Sequence, residues 1–123
     1  YIYYIKIVKL KNDSEIKVGN IKIKVMHTPG HTPGAICLLV ENKLLTGDTL
    51  FINAIGRTDL AGGDTIKLFE SLQKLKKLKD DIEIYPGHDY GEIQFSTIGN
   101  EKKNNPYFKC ETKEQFMNYM GLF

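Results

Sequence analysis

The sequence predicts an α/β domain: a mostly antiparallel sheet with helices laid against it. Residues 15–25 alternate apolar and charged side chains around Gly19-Asn20, the pattern of a hairpin with one wet face. Short apolar runs at 35–40, 44–46 and 82–85 are each bounded by turn residues, as strands are. Between the last two runs, residues 65–78 carry apolar side chains at helical spacing.

Taken in order, residues 2–10 mix Ile, Tyr, Val and Lys in the manner of a strand. In the hairpin, Ile16 and Val18 face Ile21, Ile23 and Val25, while Lys22 and Lys24 alternate on the other side. Its second strand delivers the chain to the direct repeat HTPGHTPG at 27–34. The continuous apolar run 35–40 predicts a strand buried on both faces. It returns through Glu41-Asn42-Lys43 into 44–46, which leads to Asp48. Residues 49–63 form a long connection rich in glycine and polar groups, a length at which loops tend to be functional. Asp64 is a good N-cap for the helix at 65–78, whose Ile66, Phe69, Leu72 and Leu75 form an apolar stripe. Lys67, Lys74, Lys76 and Lys77 read as its solvated side. Residues 82–85 return as a strand and lead to His88. A short helix is expected over 97–103, before Asn105-Pro106. A last one begins at Thr112, with Gln115 placed to complete a capping box and Phe116, Tyr119 and Met120 on its apolar side.

Composition bounds the function. A chain of 123 residues allows one domain, and 41% hydrophobic with 26% charged residues is the make-up of a soluble globular protein. The run 35–40 is too short to cross a membrane, and no signal peptide is visible. A formal charge of +2, with lysines dispersed rather than gathered beside aromatics, argues against a nucleic-acid partner. Two cysteines, Cys37 in an apolar strand and Cys110 in a late loop, make no disulfide framework and fit a reduced, cytoplasmic setting. Cys37 reads as a small buried hydrophobe. Arg57 is the single arginine, which marks a position needing a planar, multiply bonding cation, with Asp59 the nearest carboxylate in sequence.

The chemistry-bearing residues share one design. His27 and His31 have the spacing of two zinc ligands on a helix, but Pro29, Gly30, Pro33 and Gly34 forbid a helix there. What remains is a rigid loop at a strand end, able to present an imidazole at a fixed angle. The construction recurs at Thr46-Gly47-Asp48 and at Pro86-Gly87-His88-Asp89. His and Asp are common turn residues, and any one of these loops taken singly signifies nothing more. Three apolar strands ending alike favour a metal site instead, since strand ends are where loops from distant positions meet. His31, Asp48 and His88, two imidazoles and a carboxylate, suit zinc, iron or manganese and are expected to converge at one sheet edge.

The stretches HTPGHTPG, TGDTLF, GRTDLAGGD, IYPGHDYG and STIGNEKKNNPYF, in this order and spacing, resemble the second half of a metallo-β-lactamase-fold enzyme. The closest branches are the glyoxalase II-like thioesterases and the persulfide dioxygenases. The resemblance runs from about Gly19 to the C-terminus. It implies the C-terminal half of an αββα sandwich, with His31, Asp48 and His88 as the later metal ligands and Asp48 bridging two metals. His27 matches no ligand position. For the thioesterase branch it implies two zinc ions that activate water against a thioester of glutathione or a similar thiol, so that no protein nucleophile is needed. Arg57 and Tyr90 are the candidates for substrate contacts. For the dioxygenase branch it implies a single iron, with His31 and Asp48 among its ligands and His88 outside them, although Ile55 stands where such enzymes carry cysteine.

The family's first half carries a His-x-His-x-Asp-His pattern that is absent from these 123 residues, whose histidines are His27, His31 and His88. The sequence therefore reads as the C-terminal part of a longer enzyme, without appreciable activity alone. Its apolar face at 35–40 is expected to be covered by self-association or by a missing N-terminal half.

Overall fold

The computed structural model of the protein describes residues 8–88 and 94–121. Strands β1 (Glu15–Val18) and β2 (Ile21–His27) form the expected hairpin, with Gly19 in the left-handed region at its turn. β3 (Ile36–Val40) and β4 (Lys43–Gly47) follow as a second hairpin. A small third hairpin, β5 (Leu50–Phe51) and β6 (Ala54–Ile55), then interrupts the long connection. Helix α1 (Thr65–Lys76), strand β7 (Glu83–Pro86) and helices α2 (Ile98–Asn104) and α3 (Lys113–Tyr119) complete the order.

The main sheet runs β1-β2-β3-β4-β7, antiparallel except for the parallel pair β4 and β7. A parallel pair needs a crossover, and α1 supplies it. Asp64 caps the helix by accepting from the Lys67 N–H, as its sequence position predicts. Leu68, Leu72 and Leu75 on α1 are fully buried, each contributing about 1.5–3 kcal/mol, and they meet Met26, Cys37, Leu44 and Ile84 from the sheet. Thr97 caps α2, and Thr112 with Gln115 forms the expected capping box on α3.

Several expectations need correction. Residues 8–10 lie outside any strand, and the rest of the strand expected at 2–10 falls outside the described residues. β3 is not buried on both faces: Cys37 is fully covered, whereas Leu38, Leu39 and Val40 are half-buried. The register sets Leu38 opposite Leu45, and Leu45 opposite Tyr85, as an apolar row on the face away from α1; Leu45 and Tyr85 are 44% and 41% exposed. On α1 the stripe turns by two positions at its start, so that Ile66 is exposed and Leu68 buried. Two of its lysines are engaged. Lys74 donates to the His27 carbonyl, while Lys76 donates to the Cys110 carbonyl and stands over the Phe108 ring. Each runs its aliphatic stem along the core and spends its charge on a backbone oxygen.

Candidate metal centre

The three loops that share a design do meet, because β3, β4 and β7 are neighbours in the sheet. Gly47 and Pro86 are register partners, and the Gly87 N–H donates to the Gly47 carbonyl at 2.8 Å, which sets residues 48 and 88 side by side. The loop before β3 is held by α1. Lys74 takes the carbonyl of His27, Ser71 takes that of Pro29 at 2.7 Å, and the Asp64 N–H takes that of Gly30 at 2.8 Å. Gly30 is required for this approach: its φ is +149°, and a side chain there would sit 2.4 Å from Leu68 Cα.

Both imidazoles stand against one carboxylate. His88 Nδ1 donates to Asp48 Oδ1 at 2.6 Å, and His31 Nε2 lies 3.7 Å from Asp48 Oδ2. The two carboxylate oxygens thus face different histidines. His31 Nδ1 donates to the Arg57 carbonyl at 2.7 Å, which fixes the tautomer and turns Nε2 toward Asp48. A ring nitrogen held by a carbonyl while the other is presented inward is the usual support of a metal-binding histidine. Asp48 is 38% exposed and His31 21%, so the site is a shallow edge reachable from solvent. A hollow of about 470 Å³ runs beside His88, lined in part by Ile52, Tyr85, Pro86 and Gln94.

The chemistry of the donor set fits zinc or iron, but the set is short. Among the described residues no group of three His, Cys, Asp or Glu is drawn close enough to hold an ion ready-made. Catalytic zinc normally takes three protein ligands per ion, so His31, Asp48 and His88 are too few for two ions.

The other site candidates are placed as follows. Arg57 forks onto Asp59, with Nε to Oδ1 at 2.6 Å and Nη2 to Oδ2 at 2.8 Å, the carboxylate foreseen as its partner. The pair is exposed, and the hydrogen bonds from Arg57 hold the Asp59 carboxyl down at about 2. It is the carbonyl of Arg57, not its guanidinium, that touches His31. Tyr90 lies outside the described residues. His27 turns away from the site, its Nε2 donating to the Pro33 carbonyl at 2.9 Å to close the loop. Cys37 is buried beside Thr28, and burial pushes its thiol up.

Two supporting features lack a plain sequence signal. Gly56 packs so closely that a Cβ there would lie 1.8 Å from the Asp48 carbonyl oxygen and 3.1 Å from His31 Cβ. Phe51 meets the His88 ring edge-on, with centroids 5.9 Å apart. Only the presence of Gly56 before Arg57 hinted at the first, and nothing hinted at the second.

Comparison with known proteins agrees with this architecture. Residues 2–88 match the model of the metallo-beta-lactamase superfamily. The chain is 34% identical over 114 residues to the probable polyketide biosynthesis zinc-dependent hydrolase BaeB of Bacillus velezensis, covering 92% of this chain and 51% of that protein. It is 40% identical over 100 residues to hydroxyacylglutathione hydrolase GloC of Haemophilus influenzae, covering 79% and 45%. The crystal structure of ETHE1 from Myxococcus xanthus superposes with a TM-score of 0.87 at 36% identity, over 93% of this chain and 51% of that one. The chain spans about half the length of the curated relatives it matches. With its sheet, its strand-end loops and the match over residues 2–88, the chain belongs to the metallo-beta-lactamase superfamily.

Proposed function

We propose that this chain is the C-terminal half of a metal-dependent hydrolase of the glyoxalase II type, acting on thioesters of glutathione or a similar thiol. The double approach of His31 and His88 to Asp48, with His31 oriented by the Arg57 carbonyl, is the observation that carries this reading. These three residues would hold zinc, with Asp48 shared between two ions. Bound zinc supplies acidified water and a polarised carbonyl, so the chain needs no nucleophile of its own.

The protein's part is positioning. Asp59 uses two of the five guanidinium donors of Arg57, and the others are proposed to take a carboxylate of the thiol carrier. Tyr90, two residues beyond His88, is proposed as a second substrate contact. The ligand shortfall means that the remaining metal ligands come from another segment. The apolar row of Leu38, Leu45 and Tyr85 is proposed to be covered by that N-terminal half or by a second copy. A cytoplasmic location is supported by two free cysteines, and among the described residues no helix is long and apolar enough to cross a membrane.

A second reading, a persulfide dioxygenase using one iron, is favoured by the likeness to ETHE1. One experiment separates the two. The complete protein, loaded with zinc or with ferrous iron, is given a glutathione thioester or glutathione persulfide, and thiol release and oxygen uptake are followed. Zinc-dependent thiol release that is lost in Asp48→Ala supports the hydrolase. Iron-dependent oxygen uptake establishes the second reading, and neither activity removes both.

A further inference from the structure

The buried polar cluster around Glu101 is unused by the proposed chemistry, yet it is the most completely enclosed acidic group described. Glu101 is fully buried, as is Asn105 one turn later on α2 and at its C-cap. Both oxygens of the Glu101 carboxyl are engaged. Oε1 accepts the Asn53 N–H at 2.7 Å and Asn105 Nδ2 at 3.0 Å, while Oε2 accepts the Ser96 hydroxyl. Among the described residues no cation is a partner, and hydrogen bonds support the burial of the group.

The acceptors and donors converge on the β5–β6 hairpin. Asn53 is its turn, held at a φ of 61°. Asn105 Nδ2 also reaches the Ala54 carbonyl at 3.1 Å and the Phe51 carbonyl at 3.4 Å, one on each strand. The hairpin in turn carries a contact to each imidazole. Phe51 lies edge-on against His88, and beyond Ile55 the chain passes Gly56 to the Arg57 carbonyl that receives His31 Nδ1–H. Asp48 itself lies two residues before Leu50. The hairpin therefore spans the segment between Asp48 and the support of His31, and α2 grips it from behind.

We infer that Glu101 is a positioning residue for the His31–Asp48–His88 site, acting through the β5–β6 hairpin and never touching the site. The geometric part of this inference stands without a metal; its effect on metal affinity rests on the function proposed above. Removing a group hydrogen-bonded directly to a metal ligand typically weakens binding about 10–100-fold, and Glu101, acting from further back, is expected at the low end of that range.

The test uses the three histidines, followed by ring NMR of the metal-free chain, as reporters. Glu101→Ala is compared with Glu101→Asp, which keeps the acid but withdraws it by one methylene, and with Glu101→Gln, which keeps the shape. Phe116→Leu serves as the control, a core truncation against Phe69 that lowers stability elsewhere. The expected result is displacement of the His31 and His88 ring signals in Glu101→Ala, with His27 unmoved, since His27 is fixed by Pro33 and Asn12. Glu101→Asp should show the same pattern at smaller amplitude and decides the matter if the alanine variant does not fold. Glu101→Gln should restore most of the native spectrum. Unmoved His31 and His88 signals in the folded Asp variant would overturn the inference, as would displacement of all three histidines to the extent seen in Phe116→Leu. In parallel, zinc affinity should fall about tenfold in Glu101→Asp or Glu101→Ala. If His31→Ala and Asp48→Ala leave zinc affinity unchanged, the metal reading fails, while the ring signals still report on Glu101.

Discussion

Replacing Gly56 by alanine adds one methyl group at the point where the segment leaving the β5–β6 hairpin crosses Asp48. An ideal Cβ at Gly56 would lie 1.8 Å from the Asp48 carbonyl oxygen, and carbons in proteins essentially never come nearer than 3.0 Å, so something must move by at least about 1.2 Å. The obstructing atom is backbone, so no side-chain rotation relieves the overlap. On one side stands Asp48, fixed by the Gly47–Gly87 hydrogen bond of the preceding residue; on the other stands His31 Cβ at 3.1 Å. Overpacking costs about 1–3 kcal/mol, and a clash with backbone belongs at the upper end. With a urea slope of about 2 kcal/mol/M, the unfolding midpoint should fall by about 1.5 M. Gly34→Ala is the matched control. It lies in the same sequence repeat as His31, has no heavy atom within 4 Å of its Cβ position and has no positive φ, so it should be neutral or stabilising by about 0.4–1 kcal/mol. Urea melts of the two variants measure the difference, and His31 ring signals report whether the site moves. A Gly56→Ala protein as stable as Gly34→Ala would refute the claim that this close approach builds the site.

Two further outcomes follow from the structure. Thr112→Ala removes the side-chain half of the α3 capping box and should cost about 1 kcal/mol in the same urea assay, against no change for Lys103→Ala on the exposed side of α2. The Asp59 carboxyl should titrate at about 2 by carbon NMR, below its ordinary 3.8, because Arg57 donates two hydrogen bonds to it. Its folded value is depressed, so whatever the pair contributes is present above about pH 4 and is lost as pH falls toward 2. Arg57→Lys or high salt should raise that midpoint, with stability near neutral pH almost unmoved, since the pair is solvent-exposed.

The fold was legible wherever local chemistry and tertiary packing agree. Gly19-Asn20, Asp64 and Thr112 are turn and cap residues whose side chains or φ angles act within a few positions, and each does what its sequence context indicates. The convergence of His31, Asp48 and His88 was also legible, because each ends a strand and strand ends share an edge. Burial was read less well. The run at 35–40 is apolar throughout, yet only the side facing α1 is covered in this chain, and periodicity alone does not say what lies over a face. The β5–β6 hairpin was missed since its two strands are two residues each and its turn, Ile52-Asn53, lacks glycine; Glu101 and Asn105, about fifty positions away, hold it by hydrogen bonds. Likewise Arg57 was singled out for its charge, whereas its carbonyl makes the contact to His31, and a backbone atom leaves no mark on the residue type.

The most direct test of the central claim is a zinc titration of this 123-residue chain beside its Asp48→Ala variant, followed by calorimetry, with sedimentation to record the assembly state. Both histidines face Asp48, and three ligands divided between two ions hold neither firmly. The expected result is weak zinc binding by the native chain and none by Asp48→Ala. Tight binding of two zinc ions by a native monomer would contradict the shortfall of ligands, and equal binding by both proteins would contradict the placement of the metal at His31, Asp48 and His88.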